Sequence, residues 1–259
     1  MKLAISGKGG VGKSTVAATL ALLLSGRQKR VLAVDADPDA NLAAALGISE
    51  EKRRSIVPIS RQTALIEERT GAKVKQYGQM FKLNPDVADV ADLLAFRHEN
   101  ILLMVLGAVE RGGSGCACPE SVFIRSLITD LVLYKDDFLI LDMEAGVEHL
   151  GRATARGVDT MLIVVEPGQR AIDCARRIID MSREIGIPAI RIVANKVVDP
   201  DDQAFIERAF PDYPLLGTIP YQESIRLADK KNQTLLETAD PDLRRIFNTM
   251  LDGLLQPVQ

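Results

Sequence analysis

Three groups of residues in this sequence have the types and spacing to do chemistry. The first is the run Gly7-Lys8-Gly9-Gly10-Val11-Gly12-Lys13-Ser14-Thr15. Glycines at this density let successive backbone N–H groups turn toward one point without Cβ interference, and such a cradle holds phosphate. A helix starting near Lys13 would add the positive end of its dipole. Lys13 is then placed to reach β- and γ-phosphates, and the Ser14 hydroxyl to bind Mg²⁺. The alternative is a glycine-rich turn that matches the pattern by accident. The strand-like run before it and the helical run after it favour a nucleotide loop.

The second group is acidic. A strand-like run from Val31 ends in Asp35-Ala36-Asp37-Pro38-Asp39-Ala40-Asn41, and Phe138-Leu139-Ile140-Leu141 ends in Asp142. Carboxylates at strand ends beside a phosphate strand sit where doubly wound sheets bind ligands. Four apolar residues closed by an Asp form the Walker B pattern, so Asp142 is expected to hold Mg²⁺ directly or through water. Asp37 or Asp39 could also cap a helix over Ala40–Leu46, a role compatible with catalysis. The third group is the pair Cys116 and Cys118 within Gly112-Gly113-Ser114-Gly115-Cys116-Ala117-Cys118-Pro119. Thiolates are soft ligands for Zn²⁺, Ni²⁺, Cu⁺ or iron–sulfur centres. One Cys-x-Cys supplies two of the four thiolates of a closed tetrahedral site, so a site of this kind needs a second copy of the chain across a two-fold axis. Packing or redox-labile thiols are the alternatives. Cys174 falls in the apolar period of a helix and reads as core, and His98 and His149 lack ligand spacing.

These residues need a scaffold that brings strand ends together. Short β-rich runs recur at Leu3–Ser6, Val31–Asp35, Ile101–Leu106, Phe138–Asp142, Met161–Val165, Ile190–Asn195 and Leu215–Ile219. Helical periods lie between most of them, at Val16–Leu24, Val122–Leu133 and Ala171–Ile185. That alternation implies βαβ units and an α/β, doubly wound, mostly parallel sheet flanked by helices. The chain has 259 residues, 47% of them hydrophobic and 4% aromatic, and no Trp. An aliphatic composition suits a sheet buried on both faces. One domain over 1–259 is the simplest organisation, with short helices expected in the charged stretch Ser49–Asp92. A net charge of −3 gives no overall grip on nucleic acid, and the few aromatic residues give single strands little to stack on. Three cysteines make no disulfide framework, and no signal peptide is visible, so a cytoplasmic protein is expected.

Lys8, directly after the first glycine of the loop, is the informative extra. It makes the loop resemble the deviant Walker A motif of the MinD/ParA family of P-loop ATPases, and the resemblance covers nearly the whole chain. It implies ATP as substrate, an ATP-dependent homodimer, and a Lys8 that reaches across the interface to the partner's nucleotide. A solvated loop lysine is the alternative. The resemblance also implies that Asp37 orients or deprotonates the attacking water, and that Asp35 joins the Mg²⁺ shell or supports the loop. Gly146 would sense the γ-phosphate through its N–H, Asn195 and Lys196 would meet the base, and backbone near Pro220 would flank the adenine. A guanine reader would want Asn-Lys-x-Asp, but Asp199 falls one position late, which favours ATP over GTP.

Within that family, Asp142–His149 lacks the cysteine of nitrogenase-type iron proteins, and residues 175–259 lack that of iron–sulfur scaffold ATPases. The C-terminal period Leu243, Ile246, Phe247, Met250, Leu251, Leu254 faces mixed charge, which suits a docking helix and no stable membrane anchor. What remains resembles the metallochaperone branch that assists nickel insertion into carbon monoxide dehydrogenase. That implies a client metalloenzyme and Zn²⁺ or Ni²⁺ at a dimer-shared Cys116/Cys118 site. The alternative is a spatial-organisation ATPase with incidental cysteines.

Overall fold

The structure is a computed structural model. It describes the chain apart from residues 75, 77, 109–117, 135–137, 147–149, 151, 156 and 257–259. The elements run β1 (Lys2–Ser6), α1 (Lys13–Gly26), β2 (Val31–Ala36), α2 (Leu42–Ala45), α3 (Glu50–Arg53), a 3₁₀ turn (Ile59–Arg61), α4 (Thr63–Thr70) and α5 (Val90–Leu94). They continue through β3 (Phe96–His98), β4 (Ile101–Val105), α6 (Pro119–Tyr134), β5 (Phe138–Met143), α7 (Arg152–Ala155), β6 (Thr160–Val165) and α8 (Gln169–Ile185). The chain closes with β7 (Ala189–Val197), α9 (Pro200–Ala209), β8 (Leu215–Pro220), α10 (Glu223–Lys230), α11 (Leu235–Thr238) and α12 (Pro241–Leu255).

The strands form one eight-stranded sheet in the order β3-β4-β2-β5-β1-β6-β7-β8. Among the described residues only β3 pairs antiparallel, with β4; the other pairs are parallel. This is the expected doubly wound sheet, with the phosphate strand β1 between β5 and β6. The seven strand-like runs each become a strand. β3 is the addition: its three residues Phe96-Arg97-His98 carry no periodicity and are a strand only because β4 offers an edge, reached through a tight turn with Glu99 at φ 52.

Side chains alternate along each strand between two apolar layers. Leu3, Ile5, Ala33, Ile140 and Val164 face one layer, which packs with Val16, Leu20 and Leu24 of α1 and Leu243, Phe247 and Met250 of α12. Ala4, Leu32, Val34, Leu141 and Ile163 face the other, which packs with Phe123, Leu127 and Leu131 of α6 and Ile172, Ala175 and Ile178 of α8. The apolar face of α12 is thus spent inside the protein, against α1 and β8. Cys174 is buried in α8, as its helical period predicts. The stretch Ser49–Asp92 holds α3, the 3₁₀ turn, α4 and the start of α5, which matches the short helices expected there. Among the described residues no helix is long and apolar enough to cross a membrane.

Candidate active site at the phosphate loop

Parallel strands end on one edge of the sheet, so β1, β2, β5, β6 and β7 deliver their following residues to a common place. The phosphate loop leaves β1 there and opens α1 at Lys13. Two of its glycines are sterically required. Gly7 has φ +155, and a Cβ on it would lie 2.4 Å from the Val164 carbonyl oxygen of β6. Gly12 has φ +98, and a Cβ there would lie 2.5 Å from Asn195 Nδ2. Gly9 meets no such obstacle, and with Lys8 and Gly10 it forms the outward turn of the loop. Val11 is fully buried and anchors that turn to the core.

The end of β7 braces the loop from behind. Asn195 Nδ2 donates to the Val11 carbonyl at 2.6 Å, and Lys196 Nζ donates to the Gly10 carbonyl at 2.7 Å. These are the two residues that the family resemblance assigned to the base, and here their nitrogens are engaged with the loop backbone. Pro220 lies in register with Val197, and the Tyr221 N–H donates to the Val197 carbonyl at 2.8 Å, so β8 ends beside the same brace. Asp199 is a helix cap: its side chain accepts from the Asp202 N–H at 2.9 Å and starts α9, with Pro200 in the first turn. Thr15 lines a cavity of about 270 Å³ with Ala44, Ala45 and Arg53, next to the first turn of α1.

The acidic residues converge beneath the loop. Lys13 Nζ lies 3.6 Å from Asp37 Oδ2, with both side chains largely buried. Asp37 Oδ1 accepts from the Asp39 N–H at 3.0 Å and holds a local turn. The capping role considered for Asp37 or Asp39 belongs elsewhere. α2 starts at Leu42, and the carboxylate that receives the Leu42 N–H is Asp35, at 2.9 Å. Asp35 also accepts from the Asp37 N–H at 3.2 Å. A carboxylate seven residues back can cap this helix only because the chain folds over it.

Asp35 and Asp142 are both fully buried. Burial raises the Asp35 pKa to about 7, with the nearby Asp142 charge adding to the rise and two backbone N–H groups opposing it. Burial raises that of Asp142 to about 6, partly offset by the neighbouring Ser14 hydroxyl and the Lys13 ammonium. Among the described residues neither oxygen of Asp142 has a partner in hydrogen-bonding geometry. A buried carboxylate without donors, beside a hydroxyl and a second carboxylate, fits a cation that arrives from outside. Mg²⁺ suits this set. It takes one or two carboxylates and completes its shell with phosphate oxygens and water. Accordingly, no self-sufficient cage of three or more His, Cys, Asp or Glu side chains is present among the described residues.

Two functional candidates escaped the sequence reading. Ser6 Oγ, at the end of β1, accepts from the Gly146 N–H at 3.1 Å and faces the carbonyls of Glu144 at 2.8 Å and Gly146 at 3.1 Å. It ties the phosphate strand to the loop after β5, and it occupies the N–H that was expected to sense the γ-phosphate. Glu166 directly follows β6 and binds both Lys8 and Lys196, each at 3.0 Å. The signal for it was present: an acid just past an apolar strand, the rule that found Asp35 and Asp142. Cys118 stands immediately before α6, part-buried, with its Sγ 3.1 Å from Ser121 Oγ. Cys116 lies outside the described residues, as do Gly112–Gly115 and His149.

Comparison with known proteins agrees with this geometry. Residues 2–235 match the CobQ/CobB/MinD/ParA nucleotide-binding domain. The carbon monoxide dehydrogenase accessory protein CooC of Rhodospirillum rubrum is 41% identical over 258 residues, covering 100% of this chain and 97% of that protein. An uncharacterized ATP-binding protein of Methanocaldococcus jannaschii is 42% identical over 97% of this chain and 98% of its own. Among solved structures, the MinC:MinD cell division complex of Aquifex aeolicus superposes with a TM-score of 0.69 at 18% identity, over 100% of this chain and 98% of that one, which speaks for the fold. With its phosphate loop, its paired strand-end carboxylates and a matched domain over residues 2–235 that contains the whole sheet, the protein belongs to the CobQ/CobB/MinD/ParA nucleotide-binding family and is a P-loop ATPase.

Proposed function

We propose that this ATPase is a maturation factor that assists nickel insertion into carbon monoxide dehydrogenase. In this reading ATP closes a homodimer, and Cys116 and Cys118 of two copies share one Zn²⁺ or Ni²⁺ as cargo. The observation that carries it is the 41% identity, end to end, to a protein described as a carbon monoxide dehydrogenase accessory protein. Support also comes from the placement of Cys118. It precedes α6, which returns from the strand-end edge of the sheet, the edge that bears the phosphate loop. Metal and nucleotide would therefore act on one face, and residues 1–259 would work as one domain.

The chain's own residues divide the ATPase work. The phosphate loop Gly7–Thr15 binds ATP, with Lys13 leaving Asp37 for the β- and γ-phosphates. Ser14, Asp35 and Asp142 would hold Mg²⁺, which would supply positive charge against the charge that develops on the phosphoryl group. Asp37, freed from Lys13, orients the attacking water. Lys8 reaches the partner's phosphates. Asn195 and Lys196 flank the nucleoside end while continuing to brace the loop, and Pro220 flanks it from β8.

The test is metal stoichiometry. Two thiolates per chain on a two-fold axis predict one Zn²⁺ or Ni²⁺ per dimer, abolished in Cys116→Ala/Cys118→Ala, which should keep ATP binding and lose activation of the client enzyme. Thiolate ligands must be deprotonated, so binding should release protons and weaken as pH falls. One metal per monomer, or metal binding that survives the double substitution, would sink the shared-site reading.

A further inference from the structure

Lys8 is not free in the single chain. Its Nζ bonds Glu166 Oε1 at 3.0 Å, and the second oxygen of the same carboxylate bonds Lys196 Nζ, also at 3.0 Å. Lys196 in turn holds the Gly10 carbonyl at 2.7 Å. Glu166 therefore joins the first lysine of the phosphate loop to the brace that fixes the loop's backbone. It can do so because β6 is the neighbour of β1, so the residue following β6 emerges beside the loop that follows β1. The group is ionised at neutral pH: burial alone would raise its pKa, but the hydrogen bonds and charges of Lys196 and Lys8 hold it below the usual value.

The arrangement has a consequence for assembly. A Lys8 that serves the partner's phosphates has to leave Glu166 first. When it leaves, Glu166 keeps Lys196, so no carboxylate is stranded without a cation. The contact is also partly exposed, with Lys8 at 38% and Glu166 at 24% of side-chain area, so water helps it open. A contact of that kind holds a side chain without locking it.

We propose that Glu166 is a positioning residue that stores Lys8 against its own subunit and sets the threshold at which ATP closes the dimer. This rests on the reading in which Lys8 acts across the interface. Glu166 touches neither nucleotide nor reacting atoms in this role; it competes with the partner's phosphates for one ammonium. Two such contacts open per dimer, so the factor for one enters squared.

The test uses the full chain and two readouts. In Glu166→Gln, which keeps shape and removes charge, the protein concentration for half-dimerisation in Mg²⁺-ATP should fall. About two- to five-fold per contact is the size of one partly exposed ion pair, hence about 4- to 25-fold for the dimer. In the nucleotide-free monomer, acylation of the Lys8 amine by a small anhydride, read by peptide mass spectrometry, should rise at least about two-fold while that of Lys13 stays unchanged. Glu166→Asp, with a carboxylate too short to hold both lysines, should lie between wild type and Glu166→Gln and serves if the glutamine variant folds poorly. A dimerisation midpoint that is unchanged or raised overturns the proposal, and so does unchanged Lys8 labelling; Glu166 would then only brace the loop. Lys8→Ala separates the two layers. If it dimerises normally with ATP, the cross-interface reading itself fails. If it loses dimerisation while Glu166→Gln behaves as wild type, only the storage role fails.

Discussion

Asp35 and Asp142 stand directly opposite each other in register, at the ends of the paired strands β2 and β5. Each is fully buried, so two carboxylates share one dry space beneath the phosphate loop. Burial disfavours the charged form of both, and the Asp142 charge raises the Asp35 pKa further. The pair therefore holds protons more readily than ordinary carboxylates do, and a cation bound there would favour the ionised form.

That sets a pH dependence with a definite sign. The folded-state pKa values, about 7 for Asp35 and about 6 for Asp142, lie above the unfolded values. Their contribution to stability is therefore fully present below about pH 4 and is lost as pH rises through about 6 to 7. Mg²⁺ requires the ionised form, so its binding with nucleotide should release protons at pH 6 and almost none at pH 8. Calorimetry in two buffers of different ionisation enthalpy measures this, and equal heats at pH 6 would contradict it. Asp142→Asn should remove the smaller share of the proton release at pH 6, the rest coming from Asp35, and bind Mg²⁺ at least about ten-fold more weakly, the effect of losing one charged, buried ligand.

Asp37 is paired with Lys13. If it orients the attacking water, Asp37→Asn should bind ATP with near wild-type affinity and lower kcat by about 10²–10⁴, the range of a positioned general base. The variant should accumulate as an ATP-bound dimer, visible by sedimentation with intact nucleotide recovered from it. Normal turnover would reduce Asp37 to a loop residue.

The loop glycines separate fold from binding. Gly12→Ala forces a side chain into left-handed backbone and against the Asn195 amide, and should lower stability by about 1–2 kcal/mol without any nucleotide present. Gly9→Ala meets open space and should melt close to wild type, with any deficit confined to ATP binding. Thermal denaturation of both variants, with and without Mg²⁺-ATP, makes the comparison. Equal losses in the two would argue against the close approach of Asn195.

Ser6 links β1 to Gly146. Ser6→Ala should leave the Gly146 N–H to the Glu144 carbonyl alone and loosen the loop after β5 without touching the phosphate loop. The expected outcome is a change in hydrolysis rate with ATP affinity held within about two-fold, since the lost hydrogen bond is worth about 1 kcal/mol and is shared between empty and loaded states. A large loss of ATP binding would place Ser6 in the phosphate cradle instead.

The sequence by itself determined the strands, the winding and the phosphate loop, because each is written in local terms: aliphatic runs, a 3.6-residue period, and glycines at spacings that only a backbone cradle explains. It also marked Asp35, Asp37 and Asp142, since acids after apolar strands are rare enough to stand out. Only the tertiary structure decided what those groups hold. Asp35 caps α2, Asp142 faces it from a strand more than a hundred residues away, and Asn195 and Lys196 grip the loop. Ser6 was silent, and Glu166 carried only the mark of an acid after an apolar strand, because their partners are 30 to 158 residues distant and are chosen by strand order. Strand order is settled by how eight strands share two apolar layers across the whole chain, and no local window carries that sum. The short strand β3 exists for the same reason, as an edge that β4 left open.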